Sequence, residues 1–110
     1  MKYPGGNMSI METLSEIISK MERKLVRIEK EYRENYSGSY KIIYFRGEPY
    51  IYRTYKENGR WRTKYIGKGD EKRLQQLKKR QQEMRKKIKR YREILKHLRE
   101  AYELLEEEAK

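Results

Sequence analysis

From Met11 onward, apolar residues recur in alternating steps of three and four: Met11, Leu14, Ile18, Met21, Leu25, Ile28 and Tyr32. That spacing is the a/d seam of a heptad repeat and predicts an amphipathic helix over 9–35. Ser9 with Glu12, or Thr13 with Glu16, has capping-box spacing at its start, and Ser37-Gly38-Ser39 ends it. Over 40–66 the period falls to two and the residues turn β-branched and aromatic, in the runs Tyr40–Phe45, Pro49–Lys56 and Arg60–Ile66. Asn58-Gly59 is a type I′ hairpin signal, and Arg46-Gly47-Glu48 forms the other turn, so these runs predict a three-stranded antiparallel meander. Asp70 then serves as N-cap to a helix over 70–108. Its seam is Leu74, Leu77, Met84, Ile88, Tyr91, Leu95, Leu98, Tyr102 and Leu105, with Gln81 the one polar position. Residues 1–8, which include Pro4-Gly5-Gly6, show no periodicity and read as a flexible arm, with Met8 a second candidate start.

These elements assemble as an α+β fold: an antiparallel two-helix coiled-coil hairpin with a three-stranded antiparallel β-meander inserted at its tip. Residues 9–110 form a single domain. If the meander returns the chain to its starting point, Tyr32 lies near Leu74 and Met11 near Leu95 and Leu98. The last turns of the second helix then lack a partner. Ile10, Ile17 and Ile94 widen the apolar stripe beyond a two-helix seam. A homodimer through the helical end away from the sheet, as a four-helix bundle, accounts for both features. The alternative is that the arm around Tyr3 and Pro4 folds back over the stripe.

Composition narrows the function. Of 110 residues, 35% are hydrophobic and 42% charged, which allows a thin helical seam but no broad core. With no cysteine there is no disulfide framework and no thiolate metal site, and His97 alone leaves little for a transition metal, so neither metal nor cofactor is expected. No apolar run reaches the roughly 18 residues of a membrane span, so the expected location is cytoplasmic, with no membrane partner. Heavy use of Lys, Arg, Glu and Tyr without Cys leans towards a thermophilic, archaeal source, against which Gln75, Gln76, Gln81 and Gln82 weigh mildly. There is no P-loop, no paired carboxylates in an apolar setting and no Ser-His-Asp set. The eleven tyrosines suggest a recombinase-type nucleophile, but that chemistry needs Arg and His converging in a pocket, and a thin hairpin has none. The expectation is a protein that is not an enzyme.

A net charge of +12 favours a polyanionic partner through counterion release. The Asn58-Gly59 turn pairs Lys56 with Trp61, Thr54 with Thr63 and Tyr52 with Tyr65 on one face. On the other it pairs Glu57 with Arg60, Tyr55 with Arg62, Arg53 with Lys64 and Ile51 with Ile66. One face is therefore aromatic (Tyr50, Tyr52, Trp61, Tyr65) and is expected to cover the helix ends. The other, with Arg53, Tyr55, Arg60, Arg62 and Lys64, is expected to meet solvent and nucleic acid, since a β-ribbon fits the major groove. The last helix adds eleven bases against one acid, Glu83, from Lys72 to Arg92. Lys68, Lys72, Arg73, Lys79, Arg80, Lys86 and Lys87 are candidate phosphate contacts. The plainer readings are long-armed strand residues that cover their own sheet, and a solvated helix face balanced in part by six acids on the first helix.

The stretch from Tyr50 to Lys68, reading YIYRTYKENGRWRTKYIGK, resembles a pattern in small prokaryotic proteins often encoded beside mobile elements. There a helix precedes tyrosine-rich strands, an Asn/Asp-Gly turn and a Tyr-Ile/Leu-Gly-Lys ending, and a second helix follows. Many of those carry cysteines where this chain has Arg46-Gly47-Glu48. The meander and following helix also resemble the arm-type DNA-binding domain of tyrosine recombinases, whose sheet enters the major groove. That resemblance implies a DNA face at Arg53, Arg60, Arg62 and Lys64. The expected function is thus a non-enzymatic DNA-binding accessory protein, with DNA favoured over RNA. An RNA- or ribosome-associated protein and a helical protein-interaction module are the alternatives.

Overall fold

A computed structural model describes residues 6–109, with side chains from residue 9 on. The order is α1 (Gly6–Asn35), β1 (Ser39–Phe45), β2 (Glu48–Glu57), β3 (Arg60–Lys68) and α2 (Glu71–Glu108). The fold is α+β, a helix, a three-stranded antiparallel meander and a helix antiparallel to the first, with the strands in the order β1-β2-β3. Two compact units are present, Met1–Glu29 with Lys87–Lys110 and Lys30–Lys86. Both helices run through each.

Helix α1 begins earlier than the capping boxes imply. Ser9 lies inside it, and Thr13 Oγ1 donates to the Ser9 carbonyl at 3.0 Å, a helix-interior bond rather than a cap. The expected flexible arm lies, for residues 1–5, outside the described residues. At α2 the cap is as read, with the Arg73 amide donating to Asp70 Oδ1 at 3.1 Å.

In the first unit the seam buries Ile88 and Leu95 and half-buries Leu14, Ile18, Met21, Leu25 and Ile28. Arg92 pairs with Glu29 at 2.8 Å and Arg99 with Glu22 at 3.0 Å. Met11 and Tyr102 line one shallow groove. In the second unit Arg85 Nε donates to Tyr32 Oη at 2.6 Å and Arg80 Nε to Tyr36 Oη at 2.7 Å. Tyr32 therefore meets Arg85 rather than Leu74, and Met11 shares a groove with Tyr102, beyond Leu95 and Leu98. The expected helix register is corrected because the first turns of α2 are taken up by the sheet. Leu74 joins Tyr40 and Ile51 in the core, with Tyr36, Ile42, Ile66 and Leu77 packed around them. Shifted this way, the last turns of α2 run beside the start of α1, and Leu105 is half-buried.

Both hairpins close in two residues with positive φ throughout, Arg46 (53°) with Gly47 (77°) and Asn58 (50°) with Gly59 (78°). That is type I′ geometry, so the first turn is Arg46-Gly47 and Glu48 belongs to β2. Strand pairing from Tyr52↔Tyr65 to Glu57↔Arg60 is as read from the turn. Ile51 pairs with Gly67 instead of Ile66, because a register shift between Ile51 and Tyr52 adds a residue to β3.

The carboxyl end of α1 fixes how the second unit packs. Gly38 has φ 83°, and a Cβ there would lie 2.0 Å from the Thr54 carbonyl oxygen. Gly38→Ala should destabilise the fold by about 3 kcal/mol or more, read as a lower midpoint in urea unfolding, since both the φ and the backbone contact must yield. Tyr40 donates its hydroxyl to the Asn35 carbonyl at 2.9 Å. Burial raises its ionisation above the ordinary 10.0, with the nearby Arg53 charge acting the other way. The unfolded chain then loses this proton first, so the contribution is intact below pH 10 and is lost as pH rises through the folded value. Tyr40→Phe should flatten that alkaline decline and lower neutral-pH stability by about 1 kcal/mol.

Candidate nucleic-acid interface

Strand alternation divides the meander into two faces. Tyr40, Ile42, Ile51, Arg53, Tyr55 and Ile66 point towards the helices, together with Arg60, Arg62 and Lys64 further along β3. The outer face carries Lys41, Ile43 and Phe45 from β1, Tyr50, Tyr52, Thr54 and Lys56 from β2, and Trp61, Thr63, Tyr65 and Lys68 from β3. The expected orientation of the two faces is therefore reversed: the aromatic face looks to solvent. Trp61 is 69% exposed, Phe45 61% and Tyr65 52%. The physical reason lies in β1, whose Tyr40 and Ile42 share the face of Ile51 and Ile66, whereas Lys41, Thr54, Lys56 and Thr63 intersperse the rings outside.

Arg53, expected at a DNA surface, is 1% exposed and is a structural residue. Its Nη1 donates to the Ser37 carbonyl at 2.8 Å and to Ser37 Oγ at 3.1 Å, and its Nη2 to the Glu34 carbonyl at 2.6 Å. The guanidinium stacks on the Tyr55 ring, 4.1 Å from its centroid, so half-buried Tyr55 supports Arg53. Nε is buried and meets no acceptor among the described residues. A helix terminus rich in unpaired carbonyls attracts such a cation, and sequence alternation alone does not distinguish a capping guanidinium from a solvent-facing one.

The remaining candidates are exposed. Arg62 pairs with Glu57 at 3.3 Å, while Arg60 and Lys64 flank it on β3. Lys72, Arg73, Lys79, Arg80 and Lys86 project from α2 in the second unit, and Lys87 from α2 in the first. Because α2 packs beneath the inner face, the sheet separates its bases from the rings. Lys68 belongs to the outer face, where its hydrogen bond to Glu48 (2.6 Å) holds its ammonium pKa above 10.5.

Sequence reasoning missed Phe45, Ile43, Lys41 and Arg46 as members of the ring face. Pairing β1 against β2, in addition to β2 against β3, places them there. On that face Tyr52 and Tyr65 tilt against each other at 5.3 Å between centroids, and Tyr50 lies 6.3 Å from Tyr65. Lys56 Nζ sits 5.8 Å from the Trp61 ring and the Arg46 guanidinium 5.2 Å from Phe45. The result is five rings in an open, polar-flecked surface with Lys41, Lys56, Lys68 and Arg46 around them.

A family model described as a domain of unknown function (DUF6788) matches residues 11–76, more than half of the chain. The chain belongs to the DUF6788 family. The DUF6788 match takes in the whole meander, most of α1 and α2 as far as Gln76, so every ring of the outer face lies within it and Lys79, Arg80, Lys86 and Lys87 lie beyond it. No curated protein and no solved structure matches the chain. Among the described residues no group of three or more His, Cys, Asp or Glu is placed to hold a metal ion. No helix there is long and apolar enough to cross a membrane.

The role assigned to Arg53 is open to a direct check. Arg53→Met should lower stability by about 3 kcal/mol, because buried carbonyls lose their donors, and Arg53→Lys should recover little of it, since an ammonium cannot reproduce the planar fork. Thermal unfolding of the two variants measures both.

Proposed function

We propose that the chain is a non-enzymatic nucleic-acid-binding protein that stacks unpaired bases on the outer face of its meander. The observation behind this reading is the set of rings on the solvent side of a sheet, with Phe45, Trp61 and Tyr65 exposed and Tyr50 and Tyr52 half-buried beside them. Exposed charges are at ease in water and say little about function. Clustered exposed rings are not, and mark a surface that meets something. Every base has a face that can stack on a ring, and lysines among the rings suit the phosphates that follow the bases. Strand order, spacing of rings and interleaved cations together favour single-stranded RNA or DNA over a duplex, whose bases are already stacked.

A second reading concerns duplex DNA. Arg60, Arg62 and Lys64 remain exposed on the inner side of β3, the side on which α2 carries its bases. A ribbon with that row suits a major groove, with the helix holding phosphates. The two readings use opposite sides of the sheet and separate cleanly.

Trp61 fluorescence, titrated with single-stranded and duplex oligonucleotides over a range of salt, tests them. Tyr52→Ala with Tyr65→Ala should weaken single-strand binding about tenfold or more, as one to two stacked bases are lost. Changing Lys41, Lys56 and Lys68 to Ala should reduce the slope of log affinity against log salt by about two. Full single-strand affinity in the Tyr52/Tyr65 variant, with its circular dichroism unchanged, sinks the first reading. Loss of duplex binding only in an Arg60/Arg62/Lys64-to-Ala variant supports the second.

A further inference from the structure

The seam of the first unit has two unlike flanks. Numbering Met11 and Leu95 as heptad position a, the pairs Glu29–Arg92 and Glu22–Arg99 both join position e of α1 to position e of α2. In an antiparallel pair e faces e and g faces g, so the e flank is closed by ion pairs. The opposite flank is apolar. Ile10 and Ile17 hold g on α1, Ile94 and Ala101 hold g on α2, and Leu104 stands at the adjoining c. These four large side chains are 40–64% exposed. Among the described residues Val26, at b, is the one large exposed aliphatic of the unit on the other side. Four aliphatics gathered along one flank are a surface for a second layer.

We infer that a second copy of this chain covers this flank, so that two helix pairs form a four-helix bundle about a two-fold axis parallel to the helices. The charges that border the flank, at positions c, g and f, select this occupant. On the α1 side they are Lys20, Arg23, Lys24 and Arg27 against Glu16, and on the α2 side Glu93, Glu100, Glu107 and Glu108 against Lys87 and Arg90 at the start of that stretch, so one rim is net basic and the other net acidic. A foreign partner of uniform sign meets like charge on one half. A two-fold of this orientation lays α1 of one copy across α2 of the other, with opposite signs facing and each contact made twice. The ion pairs within the unit set Glu22 level with Arg99, which places Lys20 opposite the partner copy's acidic rim near Glu100 and Ile17 level with its Leu104. The inference is independent of the nucleic-acid reading, because no ring of the outer sheet face belongs to this unit.

Sedimentation equilibrium of the full chain, over a range of concentrations and without nucleic acid, tests it. The expected result is a reversible dimer that becomes a monomer in Ile17→Ser with Leu104→Ser, two positions exposed in the single chain whose replacement leaves helicity intact. Lys20→Glu should weaken the dimer about tenfold, since symmetry breaks two pairs at once, and adding Glu100→Lys should restore it. A wild-type chain that stays monomeric overturns the inference, as does a dimer that the Ile17/Leu104 variant leaves intact. A monomer that dimerises only after residues 1–5 are removed also overturns it, assigning the flank to the chain's own amino-terminal segment.

Discussion

Everything in the second unit turns on how the carboxyl end of α1 is satisfied. A helix ends with carbonyls that have no partner of their own, at the negative end of its dipole. Here six successive carbonyls, from Arg33 to Gly38, all accept from side chains. Ser37 Oγ serves Arg33, Arg53 serves Glu34 and Ser37, Tyr40 serves Asn35, and Gln81 serves Tyr36 and Gly38. Apart from Ser37, in the loop that follows α1, the donors come from β1, β2 and α2, so one helix end binds three elements together. Arg53 and Gln81 are the buried polar or charged side chains among the described residues, and both are used here.

This arrangement also sets the register of the helices, which the apolar seam leaves open. Heptad steps fit equally well after a slide of one repeat, but a slide would bury Gln81 away from the Tyr36 and Gly38 carbonyls. An unpartnered buried amide costs about 1–3 kcal/mol. A polar residue in an otherwise apolar seam thus fixes register at the expense of some packing. Gly38 takes part from the other side. Its missing Cβ lets the chain leave α1 against the Thr54 carbonyl, which brings β2 close enough for Arg53 to reach the helix end.

The sequence made the elements legible because their signals are local. Steps of three and four, a fall to period two, Asn58-Gly59 and Asp70 each act within a few residues, and strand pairing next to the turn follows from turn length alone. What was not legible depends on contacts between distant residues. Alternation sorts Arg53 and Tyr52 onto opposite faces without saying which face is inside. The choice is made by a helix end that lies nineteen residues away from Arg53 in the chain. The slide of α2 likewise reflects turns around Leu74 that serve the sheet before the helix meets α1. At the candidate site the rings of β2 and β3 were visible as a cluster, but their exposure was not, because that follows from burying the other face.

The net charge of +12 bears less weight than its size suggests. Several of the cations that produce it already have structural partners: Arg53 on carbonyls, Arg80 and Arg85 on tyrosine hydroxyls, Arg92 and Arg99 on acids of α1, Arg62 and Lys68 on acids of the sheet. A polyanion must compete for some of these and gains less from them than a count of bases suggests. The rings face no such competition. Phe45, Trp61 and Tyr65 are exposed apart from neighbouring rings and two cation contacts at Phe45 and Trp61, with Tyr50 and Tyr52 half-buried beside them, so covering this face releases water without breaking anything that holds the fold. Counting charges therefore overstates the electrostatic share of binding, and exposure of the rings is the more discriminating guide to what the sheet contacts.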